Sequence, residues 1–140
     1  VIDRAELADL FGELLAKGRS ATLRARGGSM WPAIRDGDVL TLAPLPARDE
    51  DGPAAVRPGD VVALRCGEAL VVHRVVRCEG GGVVLRGDAL PREDGAFAAS
   101  AILGRVVGVR RGSQELRLGR GALAPLQRLL LRALRKVRAW

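Results

Sequence analysis

The sequence predicts a mainly β domain, a coiled sheet or small barrel, set between one N-terminal and one C-terminal amphipathic helix. Between residues 20 and 118, short apolar runs alternate with Gly, Pro and Asp punctuation, the pattern of an all-β chain. On either side of that region, apolar residues recur at helical spacing instead. The 140 residues, 48% hydrophobic and 28% charged, suffice for one globular core and not for two. The expected division is a helix over 1–19, a β domain over 20–118 and a basic helix over 119–140.

The first helix is expected over residues 2–17. Leu7, Leu10, Phe11, Leu14 and Leu15 make the apolar stripe, Asp3, Glu6, Asp9 and Glu13 the polar one, and Gly18 the stop. Strands are expected near 21–26, 38–43, 60–66, 69–77, 82–86, 102–110 and 115–118. Several are apolar on both faces, as strands buried on both sides are. Gly67-Glu68 is expected to turn the hairpin between the third and fourth. Residues 46–58, rich in Pro and charge, read as a mobile insertion. In the last helix, over 122–138, Leu123, Leu126, Leu130, Leu134 and Val137 share one face and Arg128, Arg132, Arg135 and Arg138 the other, with Pro125 in the first turn. Such a helix suits either a membrane surface or packing on its own domain.

The net charge of +7 is unevenly spread: residues 105–140 carry +9 and residues 1–104 carry −2. A DNA-binding body would carry its own basic face. The expectation is therefore no specific nucleic acid, with any anionic partner, such as a membrane, meeting the tail. No run approaches the roughly eighteen apolar residues of a membrane span, and no basic stretch followed by an apolar run opens the chain. A cytoplasmic protein, at most peripheral to the inner membrane face, is expected. Cys66 and Cys78 form no CxxC and have no histidine neighbour, so they read as free, ordinary buried residues, and no metal or other cofactor is expected.

Three segments carry candidate chemistry. Gly27-Gly28-Ser29-Met30-Trp31-Pro32 is followed by Asp36-Gly37-Asp38; Val71 to Val76 contains His73; Arg86-Gly87-Asp88 is followed by Asp94. Together they supply a serine, a histidine and an acid, the parts of a nucleophile, a base and an orienting group. Each also has a plain structural reading. Ser29 suits the cap of a short helical turn, His73 a satisfied core position, and Asp88 a turn at a strand end. The glycines before Ser29 favour close backbone approach to a substrate, and the N–H groups of Gly28 and Ser29 are candidates to receive an oxyanion.

The joint pattern resembles the signal peptidase I family, in the branch of archaea, spore-forming bacteria and the endoplasmic reticulum, within the LexA-like and signal-peptidase-like serine peptidase clan. Ser29-Met30-x-Pro32 with Asp36-Gly37-Asp38 looks like the nucleophile box. Pro58-Gly59-Asp60-Val61-Val62 looks like the next structural box, and His73-Arg74-Val75 occupies the place where the housekeeping branch carries lysine. Arg86-Gly87-Asp88 with Asp94 looks like the last box, and Leu103-Gly104-Arg105-Val106 like the strand after it. The two lysines, Lys17 and Lys136, fall outside these boxes, so a Ser–Lys dyad has no base here.

The resemblance implies a LexA-like β fold and hydrolysis of an extended peptide or protein substrate. Ser29 would attack, His73 would move the proton, and Asp88, with Asp94 as the alternative, would orient the imidazole. Met30 is a candidate lining residue for the substrate. The chain departs from the family in two places: Gly27 stands where some members place a hydroxyl, and Ala89 where an Asn often follows the Gly-Asp. Two other readings stay open, a peptidase fold that binds a peptide or partner without cutting, and a self-cleaving repressor-like regulator. Only about twenty residues precede the β region, too few for the helix-turn-helix such regulators carry.

Overall fold

In a computed structural model the described residues are 4–45, 56–67 and 69–118. The expected C-terminal helix and most of the 46–58 insertion lie outside them. The first helix, α1, runs Arg4–Ala16. Phe11 and Leu15 are buried and Leu14 packs partly on the core, whereas Leu10 is 45% exposed, so the buried stripe is narrower than the sequence pattern. Gly18, at φ +75°, ends the helix. The Arg19 N–H donates to Leu14 O at 3.1 Å and the Gly18 N–H to Leu15 O at 3.0 Å, a left-handed C-terminal cap that favours glycine.

Among the described residues, eight strands form one antiparallel sheet. They are β1 (Ala21–Arg24), β2 (Val39–Ala43), β3 (Val61–Cys66), β4 (Ala69–Glu79), β5 (Gly82–Arg86), β6 (Gly95–Ala98), β7 (Ile102–Arg111) and β8 (Gln114–Arg117). The spatial order is β1-β2-β7-β3-β4-β5-β6, with β8 paired to β7. The long β7 therefore pairs with three strands. One edge meets β2, and the other meets β3 through its first half and β8 through its second.

The mainly β expectation is realised, with strand spans close to those read from the sequence. β6 was not expected there. Its Gly95-Ala96-Phe97-Ala98 has three small residues and is mostly exposed, and only pairing with β5 makes it a strand. The strands buried on both faces are also present. Val61 and Ala63 of β3 enter one core cluster with Met30, Leu40, Leu42 and Val109, while Val62 and Leu64 enter a second with Val75, Val83 and Leu85. Alternation along one strand thus feeds two cores, because successive side chains leave on opposite faces.

Two similar turns launch β2 and β3. In each, a glycine of positive φ (Gly37, +87°; Gly59, +98°) precedes an aspartate. The aspartate carboxylate accepts the N–H of the turn's first residue, Arg35 to Asp38 at 2.8 Å and Arg57 to Asp60 at 2.9 Å. Pro58-Gly59 supplies the residue pair a type II turn requires. The hairpin at Gly67 pairs Cys66 with Ala69, as the sequence indicates. Cys66 and Cys78 are free but both exposed, which corrects the expectation of burial: each lies near a strand end that leaves the core.

Candidate active site

Ser29 sits on the loop between β1 and β2, and backbone bonds close that loop at its base. The Ala25 N–H donates to Asp38 O at 2.7 Å and the Gly37 N–H to Ala25 O at 2.9 Å. The Gly27 N–H donates to the Asp36 carboxylate at 2.8 Å. Within the loop the Ile34 N–H reaches Met30 O at 2.9 Å, and the Trp31–Pro32 peptide is cis. The serine is held at the start of this turn, and its hydroxyl is directed across to β4. Ser29 Oγ lies 3.2 Å from His73 Nε2.

His73 is the only histidine in the chain and 8% exposed. It stands mid-strand on β4, paired with Val62 of β3. On its other side the β4–β5 ladder ends at Arg74 and Arg86, and Gly87 follows. A Cβ at position 87 would lie 2.7 Å from the Ser29 carbonyl oxygen and 3.1 Å from His73 Nε2. Gly87 is therefore required by close approach, since any side chain would enter the space between serine and imidazole.

Nδ1 of His73 meets the Asp94 carboxylate in a short contact. Asp94 arrives at the head of β6, where its N–H donates to Leu85 O at 2.8 Å. Its side chain is 25% exposed, against 10% for His73. Serine hydroxyl, imidazole and carboxylate thus stand in line, each within hydrogen-bonding reach of the next. Such a line can move a proton off a hydroxyl and hold the resulting imidazolium.

Asp88 is placed elsewhere, which corrects its candidacy as the orienting acid. Its two carboxylate oxygens take a forked pair of bonds from Arg74, at 2.8 and 2.9 Å. Arg74 also donates to Gly59 O at 2.7 Å, at the turn that opens β3. Arg74 follows His73 on β4 and so leaves the strand on the opposite face. Asp88 follows that arginine away from the imidazole. The pair is buried, with side-chain exposures of 13% and 1%.

The turn that contains Asp88 still touches the site through its backbone. The Ala89 N–H donates to Ser29 O at 2.9 Å, and the Asp88 N–H points to Met30 Sδ at 3.4 Å. Met30 is 4% exposed inside the core, which corrects its expected role in lining a substrate site. The turn after Ser29 rotates it inward, and it supports the site from beneath. Gly28 is exposed and Ser29 half-buried, and a Cβ at Gly27 or Gly28 would meet nothing within 4 Å. Open space therefore lies beside the serine on the glycine side.

A second ion pair ties the serine loop to the sheet. Arg111, at the end of β7, grips Asp38 with bonds of 3.0 and 2.9 Å. Burial pushes the Asp38 carboxyl up, but the Arg111 bond, the Arg35 N–H and the charges of both arginines outweigh it and hold the carboxyl below its usual range. Cys78 is exposed as a residue, but its sulfur turns to the Val56 carbonyl at 3.7 Å, and the partial burial there raises the thiol, with the Asp60 charge acting the same way. Among the described residues no group of three or more His, Cys, Asp or Glu side chains could hold a metal ion.

The supporting contacts of Gly87 and Arg74 are not legible in the sequence. Both residues fall inside the motifs, but nothing in their spacing says what they touch.

The family profile described as Peptidase S24-like matches residues 5–107. The chain belongs to the Peptidase S24-like family. That places it in the LexA-like and signal-peptidase-like clan, and its β fold is the one that membership implies. No curated protein matches the chain at a significant level. No helix among the described residues is long and apolar enough to cross a membrane.

Proposed function

We propose that this S24-like protein is a serine endopeptidase in which Ser29 is the nucleophile, His73 the general base and Asp94 the orienting acid. One observation carries the reading: Ser29 Oγ is 3.2 Å from His73 Nε2 while Asp94 occupies Nδ1. With Nδ1–H donated to Asp94, Nε2 is left as the acceptor for the serine proton. Ser29 Oγ attacks the scissile carbonyl, and His73 takes the hydroxyl proton and passes it to the leaving amine. Asp94 stabilises the imidazolium between those steps. The N–H groups of Gly28 and Ser29 are the proposed oxyanion donors, and the side-chain-free surface of Gly27 and Gly28 gives an extended peptide room to approach.

Histidine as base favours the signal-peptidase branch with histidine over the Ser–Lys members of the clan. Lys17 follows α1, and Lys136 lies outside the described residues. A peptide bound as an added strand fits this reading.

The test is a labelled, serine-directed acylating probe on the full chain. Wild type should be labelled at Ser29, with labelling lost in Ser29→Ala and His73→Ala and reduced about 100-fold or more in Asp94→Ala. Equal labelling of wild type and Ser29→Ala would falsify the assignment and leave a peptide-binding module as the better reading.

A further inference from the structure

The aspartate that faces His73 stands in an exposed place. Asp94 ends a loop whose residues 91–94 are all exposed, and it opens β6, the last strand of the sheet order. A backbone bond from its N–H to Leu85 O fixes it. Sheet ends of this kind open more readily than the centre. A carboxylate that must stay on one imidazole nitrogen needs a further restraint.

The neighbouring residue supplies one. Glu93 receives a forked pair of bonds from Arg77, Nη1 to Oε1 at 2.5 Å and Nη2 to Oε2 at 3.0 Å. The remaining nitrogen of that guanidinium, Nε, donates to Glu79 at 2.5 Å. All three nitrogens of Arg77 are thus engaged by carboxylates. Arg77 lies on β4, four residues beyond His73, just past the irregularity in register between Val75 and Arg77. The strand that carries the imidazole therefore also holds, through Arg77, the segment that carries the acid.

We propose that Arg77 and Glu93 are positioning residues, a clamp that keeps the Asp94 carboxylate on His73 Nδ1. The inference rests on the reading of Ser29, His73 and Asp94 above, and adds the device that sets their geometry. The bond and charge of Arg77, aided by the charge of Arg86, hold the Glu93 carboxyl below its usual range, so the clamp is fully charged at neutral pH. Its side chains are 44% and 39% exposed, so salt screens it. The His73–Asp94 pair is more buried and resists screening. Ionic strength should therefore act on the site through the clamp.

Because the chain has one histidine, its ring signals in NMR are unambiguous. In wild type the His73 Nδ1–H should give a low-field resonance, absent in Asp94→Ala. In Glu93→Gln and Arg77→Ala it should broaden, with exchange with water about threefold or more faster, and moderate salt should do the same to wild type alone. Ser29 acylation by 4-nitrophenyl acetate should fall about three- to tenfold in Glu93→Gln, and by nothing further when Glu93→Gln is added to Asp94→Ala. An unchanged His73 resonance in Glu93→Gln, or an equal acylation loss in both backgrounds, overturns the clamp. The resonance reports the clamp whether or not the serine reacts. If it broadens as expected while Ser29→Ala reacts as fast as wild type, the peptidase reading fails and the role of Arg77 in holding Asp94 stands.

Discussion

At the scale of single residues, the two aspartates after Gly87 divide two tasks. Asp94 faces the imidazole, and Asp88 neutralises a buried arginine. Their substitutions should differ in kind. Asp88→Ala leaves Arg74 without its forked partner in a buried position and should lower stability by about 3–5 kcal/mol. Asp94→Ala removes a partly exposed carboxylate, so stability should change by about 1 kcal/mol or less while probe labelling collapses. Thermal melts alongside labelling separate the two; a destabilised Asp94→Ala with intact labelling would reverse the assignment. Gly87→Ala is a third case. Its Cβ would meet the Ser29 carbonyl at 2.7 Å and Leu90 Cδ1 at 3.0 Å, and the backbone oxygen cannot swing away. We expect a loss of about 1–3 kcal/mol and at least about tenfold in labelling. Wild-type labelling in Gly87→Ala would mean the serine loop moves freely, against the bonds that close it.

At the scale of elements, the site depends on how loops are fastened to strands. The serine loop is closed at its base and pinned to β7 through Asp38 and Arg111. The Asp38 carboxyl is held below its ordinary 3.8, so its contribution to stability is present above that value and is lost as the pH falls through its lower folded value. Asp38→Asn should therefore cost about 1–3 kcal/mol at pH 7 and progressively less as the pH drops below 4. Melting curves of wild type and variant should converge in acid; a gap that stays constant from pH 7 to pH 3 would show that the pair contributes through shape and not charge. β4 has the opposite design. It brings its side chains directly, with His73 facing the serine and Arg74 and Arg77 holding the start and end of the loop between β5 and β6.

At the scale of the whole molecule, the site collects residues 29, 73 and 94 from three separate parts of the chain. In the sheet order β7 and β3 stand between β2 and β4, and the loop before β2 reaches across them to His73 on β4. The basic residues of 119–140 lie outside the described structure, and their charge still makes a prediction. The full chain should co-sediment with anionic vesicles more than with neutral ones, with salt weakening the charge-driven share, and truncation before Ala122 should abolish binding. No binding to anionic vesicles at low salt would exclude the membrane role.

The sequence by itself determined the mainly β class, seven of the eight strands found among the described residues, and the first helix with its glycine stop, and it singled out Ser29 and His73 as candidates. These are local signals. Alternation, turn glycines and aspartates, and a motif around Ser29 are each written within a few residues. His73 could be named because no other histidine or nearby lysine competes. Only the tertiary structure decided which aspartate faces it. Asp88 and Asp94 are six residues apart, on a loop whose path spacing does not encode. The choice follows from Arg74, on the opposite face of β4 from His73, drawing Asp88 away, and from β5 receiving Gly95 and so delivering Asp94. The direction of Met30 is open in the sequence for the same reason, since a methionine beside Ser29 can face a substrate or the core, and the turn after Ser29 sends it inward. β6 lay outside what the sequence shows because small residues carry no strand signal until a partner edge supplies the hydrogen bonds. Long-range pairing, with the burial that follows from it, settles what residue type and spacing leave open.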